Sequence, residues 1–175
     1  FSHDEDTSWE ICAMDALFHP CGSGDGGPPH QRDILSWISY DLEIHVYGVG
    51  RTQISQPGSI VRFASATYDP QQNLQPLAID HSRAGHAERV ALLGVLEAIR
   101  FAEHGLRQRF LREGGECSAA DSIFADSDDS QQITGSVQLF AAHTPCLSCV
   151  AVFAQFVGLL PGVRLTIAFR DSRVL

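Results

Sequence analysis

Two short stretches constrain this chain more than anything else in it. The first is His86, Ala87 and Glu88; the second, well downstream, is Pro145, Cys146, Leu147, Ser148 and Cys149. Each opens a segment of helical character. After His86 come Val90, Ala91, Leu92, Leu93, Val95, Leu96 and Ile99, apolar at the spacing of one helix face. Before Cys146, Thr144 suits a helix cap and Pro145 a first turn, where a missing N–H costs nothing. Cys146 and Cys149 then stand three apart on one face, near the positive end of the helix, which favours thiolates. Two helix N-termini therefore bring together an imidazole, two sulfurs and a carboxylate. Either half alone says little, because a lone C-x-x-C is also a redox or structural motif and a lone H-x-E has no fixed meaning.

In this order the two halves read H-x-E followed by P-C-x-x-C, the pattern of zinc-dependent nucleobase deaminases. The chain resembles the cytidine deaminase-like superfamily, which includes free-nucleoside deaminases, tRNA adenosine deaminases, antiviral cytosine deaminases and bacterial deaminase toxins. The likeness is specific at the two motifs, extends by element order over about residues 42–170, and is absent before that. It implies a three-layer α/β/α fold, a mixed sheet of four to five strands with helices on both faces. It also implies Zn2+ on His86, Cys146 and Cys149. Catalytic zinc keeps its fourth position for water, which leaves Glu88 as the catalytic proton carrier.

Composition narrows the rest. With 175 residues, 44% hydrophobic and 19% charged, one soluble globular domain is the simplest reading. The longest apolar run, residues 149–160, is interrupted by Gln155 and too short to span a membrane. No basic segment precedes an apolar one, so no signal peptide is visible. Cys12, Cys21 and Cys117 are left over with no disulfide-like spacing, which favours a reducing, intracellular compartment; the resemblance to deaminase toxins implies, as the alternative, a domain delivered as a toxin. Beginning on Phe1 and not Met, the chain reads as part of a larger polypeptide. The net charge of −9 is concentrated in residues 1–20 and 113–129; elsewhere the acids nearly balance the twelve basic residues, all of them Arg. Charge therefore does not exclude a nucleic-acid partner.

Residues 1–40 read as a helical extension packed on the core, with one helix around Trp9 to Phe18 and a second over residues 34–38 capped by Asp33. The deaminase domain is placed at 41–175. Residues 42–49 and 59–68 are expected as an antiparallel hairpin turning at Pro57 and Gly58, with His45 on its polar face. A polar loop then carries Asn73, His81 and Arg83. The first motif helix is expected over 87–112, with a break at Gly105 and a cluster of Arg100, Arg107, Arg109 and Arg112 suited to a helix C-terminus. Residues 113–135 read as an acidic loop insertion, with Phe124 as a candidate lid anchor. A strand over 137–142, the second motif helix to about residue 160 and a strand over 163–169 complete a parallel crossover, and 171–175 is a thin candidate for a fifth strand.

The resemblance also supplies substrate-binding candidates. In several nucleic-acid deaminases an Asn on the loop before the zinc histidine holds the sugar, a role Asn73 matches. In the antiviral cytosine deaminases the residue three before the first zinc cysteine lines the base pocket, which here is His143. Ala87, Thr144 and Pro145, inside or beside the motifs, join the candidate set. Free cytidine deaminases share His86, Ala87, Glu88 and Arg89. They commonly carry Gly inside the cysteine motif and Arg after it, where this chain has Leu147, Ser148 and Val150. The expected substrate is therefore cytosine in a polynucleotide, single- or double-stranded. A free nucleoside, nucleotide or base, of the cytidine type or adenine, is the enzyme alternative, and an inactive zinc-binding module the reading from another class.

Overall fold

The computed structural model describes residues 35–62, 73–77, 83–115 and 131–170. Four strands form one mixed sheet: β1 (Leu35–Val46), β2 (Gly50–Arg62), β3 (Gln131–Ala141) and β4 (Val163–Phe169), in the order β2-β1-β3-β4. β1 runs antiparallel to both neighbours, and β3 pairs in parallel with β4. Two helices accompany them, α1 (Ala87–Arg112) and α2 (Leu147–Leu159). The expected α/β class with a mixed sheet is what the chain adopts.

Strand alternation assigns the faces. On β1 the side chains of Ile38, Leu42, Ile44 and Val46 point one way and are buried with Val137 and Leu139 of β3. The same cluster takes in Leu92, Val95, Leu96 and Ile99 of α1 and Val152, Phe153 and Phe156 of α2. Both described helices thus cover this face, and their N-termini meet at its edge. The opposite face of β1 carries Ser39, Asp41, Glu43 and His45, beyond a second buried cluster of Leu35, Trp37, Phe140 and Ala142. The alternation places His45 on the face turned away from the two helices.

Several expected boundaries move. Residues 35–38 are strand, not helix, because they pair with β2 on one side and β3 on the other. The hairpin turns at Tyr47, Gly48 and Val49, where Gly48 adopts φ +72° and Val49 N–H donates to Val46 O. Pro57 and Gly58 instead form an irregularity inside β2: Ile38 pairs with Ser59 and Tyr40 with Gln56, leaving one residue opposite two. A proline is tolerated there because β2 is an edge strand. The helix α1 runs through Gly105 without a break. β3 begins at Gln131, so the last residues assigned to the acidic insertion are strand. Residues 1–34, the remainder of that insertion at 116–130 including Phe124, and the candidate fifth strand at 171–175 lie outside the described residues. Among the described residues no helix is long and apolar enough to cross a membrane.

Candidate metal centre

The two helix starts are built alike, each with a donor residue in extended conformation just before the first turn. His86 is the residue preceding α1, with φ −59° and ψ 135°, and its carbonyl accepts the first helical hydrogen bond from Val90 N–H. An extended residue at this point swings the imidazole off the helix axis toward α2. On α2 the preceding residue is Cys146 itself, again extended (φ −75°, ψ 166°), so the helix begins at Leu147 and Thr144 is an exposed residue outside it. The expected Thr144 cap is therefore replaced by the cysteine, whose sulfur faces the amides of the first turn.

The three expected donors come together. His86 Nδ1 lies 3.3 Å from Cys149 Sγ and 3.6 Å from Cys146 Sγ, and the two sulfurs are 3.5 Å apart. A tetrahedron with metal–ligand bonds of about 2.1–2.3 Å has edges of about 3.4–3.8 Å. The spacing of the three atoms thus matches one face of such a tetrahedron. Among the described residues this is the one group of His, Cys, Asp and Glu side chains that could hold a metal ion, and it contains three donors and no fourth.

Glu88 belongs to the same cluster without joining the donor set. It is 5% exposed in the first turn of α1, and its charge and hydrogen bond act on Cys149. Its Oε2 is buried with no hydrogen-bond partner among the described residues. A buried carboxylate oxygen left bare is costly unless something polar meets it, and a water at an open metal position would do so.

The sulfurs differ in charge preference. Burial pushes the Cys149 thiol far up, and the Glu88 carboxylate and Cys146 reinforce it. Burial also raises Cys146, but the backbone amide of Cys149, the side chains of Arg83 and Cys149, and the Ser148 amide together draw it below the ordinary thiol value. Without a cation this pocket therefore holds Cys149 as a thiol. A divalent ion supplies the positive charge that lets both sulfurs ionise, so the donor set fits zinc in chemistry as well as in spacing.

The remaining expected residues divide. Ala87 is fully buried at the first position of α1; Pro145 is half-buried, and His143 and Thr144 are exposed on the approach to Cys146. Asn73 is half-buried at the head of the described segment 73–77, and His81 lies outside the described residues. Arg83 acts on Cys146. Three residues were not singled out for a role at the site by sequence reasoning: Arg89, Ser148 and Gln155. Arg89 is fully buried and donates from Nε to Leu74 O at 2.8 Å and from Nη1 to Ala84 O at 2.6 Å. Its signal was a charged residue inside an apolar helical run, where burial requires partners. Comparison of the chain with protein-family models and with curated protein sequences gives no match.

Proposed function

We propose that this chain is a zinc-dependent hydrolytic deaminase of the cytidine deaminase-like superfamily, converting cytosine to uracil in a DNA or RNA strand with release of ammonia. The observation that carries the reading is the three-donor group with a buried, non-ligating carboxylate beside it. A structural zinc site would fill its fourth position from the protein, and it has no use for a spare carboxylate. On this reading the fold is the three-layer arrangement with helices on both faces. Support for a second cover comes from Leu35, Trp37, Phe140 and Ala142, which are buried on the face turned away from α1 and α2.

Zinc held by His86, Cys146 and Cys149 would supply Lewis acidity, bringing the pKa of a water toward neutrality. Glu88 would take one proton from a water whose oxygen adds to C4 of the base and hand it to the ring nitrogen, where it stays. The carboxyl would then carry the remaining hydroxyl proton to the amine as the C4–N bond breaks, so that water and cytosine become uracil and ammonia. His143 and Thr144 are exposed and lie just before Cys146 in the chain; on this reading His143 contacts the base or its neighbours. A target base in a duplex would have to be flipped out, and one in a single strand would not.

Zinc analysis combined with ammonia release from cytosine-containing oligonucleotides and from free cytidine tests the proposal. One zinc per chain is expected, lost when Cys146 or Cys149 becomes Ala. Glu88→Gln should retain zinc and lose turnover by at least about 10²-fold. Zinc content unchanged in both cysteine variants would overturn the centre. Turnover of cytidine with none on any single- or double-stranded DNA or RNA would overturn the polynucleotide substrate.

A further inference from the structure

Segment 73–77, between β2 and α1, is fastened to both helices that carry the metal donors. From α1, Arg89 Nε donates to Leu74 O. From α2, the side-chain amide of Gln155 meets the Gln75 backbone twice: Gln75 N–H donates to Oε1 at 2.7 Å, and Nε2 donates to Gln75 O at 2.8 Å. This is the paired donor and acceptor that a neighbouring strand would offer. Ser148, buried between the two cysteines in sequence, accepts Leu77 N–H on Oγ at 3.0 Å. Leu74 itself is fully buried in the main core.

The first turn of α2 therefore has two jobs on two sides. Toward His86 it presents the sulfurs of Cys146 and Cys149; toward segment 73–77 it presents the Ser148 hydroxyl. Arg89 Nη1 also holds Ala84 O, two residues before His86, so the same guanidinium fixes the approach to the metal histidine and the segment. Anything that draws His86, Cys146 and Cys149 onto one ion must also fix the positions from which Ser148 and Arg89 grip the backbone.

We propose that Ser148 and Gln155 are positioning residues that dock segment 73–77 onto the metal helix, so that metal occupancy sets the order of this segment. The inference rests on the zinc centre but not on deamination. It assigns to α2 a second role that its cysteines do not explain: the helix that carries the sulfurs also holds the backbone of Gln75 and Leu77, so filling the centre tightens that hold.

Amide hydrogen exchange on the full chain, zinc-loaded and after chelation under reducing conditions, tests this without reference to turnover. Zinc should slow exchange at Gln75 and Leu77 by about five-fold or more, the equivalent of one ordinary hydrogen bond. Ser148→Ala should still bind one zinc yet lose the zinc-dependent protection at Leu77, and Gln155→Leu should lose it at Gln75. Gln155→Glu, which keeps the acceptor for Gln75 N–H and loses the donor, should recover part of the Gln75 effect. Equal exchange with and without bound zinc in the unmodified chain, or full zinc-dependent protection in both Ser148→Ala and Gln155→Leu, would overturn the docking role while leaving the zinc centre standing. Failure of the unmodified chain to bind zinc would overturn both.

Discussion

Replacing Arg89 by Met measures how much of this fold hangs on one buried cation. The side chain is 1% exposed, and its guanidinium donates to the backbone carbonyls of Leu74 and Ala84 at 2.8 and 2.6 Å. Methionine fills much of the aliphatic volume but offers no donor, so the Leu74 and Ala84 carbonyls each lose a charged hydrogen-bond partner. Each lost bond to the charged donor costs about 1–3 kcal/mol, and the variant is spared part of the several kcal/mol needed to desolvate a guanidinium. The difference points to a loss of about 2–4 kcal/mol, a large share of the roughly 5–15 kcal/mol that holds a typical domain folded. Urea unfolding followed by circular dichroism reads this directly, with an unchanged slope showing that the folded and unfolded states keep their compactness. Arg89→Lys keeps the charge but places one ammonium where two separated nitrogens stood, so it should fall between the two. The first local sign should be faster exchange around Leu74, with zinc still bound. An Arg89→Met chain within about 0.5 kcal/mol of the parent would show that the carbonyls relax to other donors, and the reasoning would fail.

Gly135→Ala should cost about 2–4 kcal/mol, since Gly135 has φ +131° and a Cβ there would collide with the Asp41 carbonyl across the β1–β3 ladder; thermal unfolding checks it. Zinc binding near neutral pH should release at least one proton, because Cys149 holds its proton in the metal-free pocket; calorimetry in buffers of different ionisation enthalpy counts it, and no release would contradict the ligand set. The raised Cys149 pKa also gives the metal-free fold stability that is fully present below the ordinary thiol value of 9.0 and lost as pH rises past it, so metal-free chain should unfold more easily in alkali than at neutral pH. Chelation should lower the unfolding temperature at neutral pH, where the metal's binding energy is part of the folding energy.

What could be read from the sequence was what depends on neighbours along the chain. The span of α1, the place of His86 at its start, the length of β4 and the convergence of His86, Cys146 and Cys149 all follow from periodicities and spacings of a few residues. The start of β3 did not. Gln131, Gln132, Thr134 and Gly135 lack the apolar alternation of a strand, and they are strand because β1 extends to Val46 and its edge needs a partner. The hairpin was misplaced for a related reason. Pro57 and Gly58 carry the stronger turn signature, but the short loop at Gly48 closes β1 onto β2 in a register that leaves the proline on a sheet edge.

The docking of segment 73–77 lay further out of reach, although part of its signal was present. Gln155 sits in an otherwise charge-free helix whose buried positions are Ser148, Cys149, Val152, Phe153 and Phe156. A primary amide in such a setting has to find partners or weaken the helix's packing. The sequence therefore announces that Gln155 is satisfied by something, and Ser148 likewise. It does not announce by what, because the partners are peptide groups of Gln75 and Leu77, eighty and seventy-one residues away, and every residue except proline carries the same N–H and C=O. Side-chain chemistry writes a metal site into the sequence because zinc selects imidazole and thiolate. Backbone docking leaves no such mark on the segment that is held, only on the residues that hold it. For a chain of this kind, the polar residues to question first are those buried on the helices that carry the metal donors.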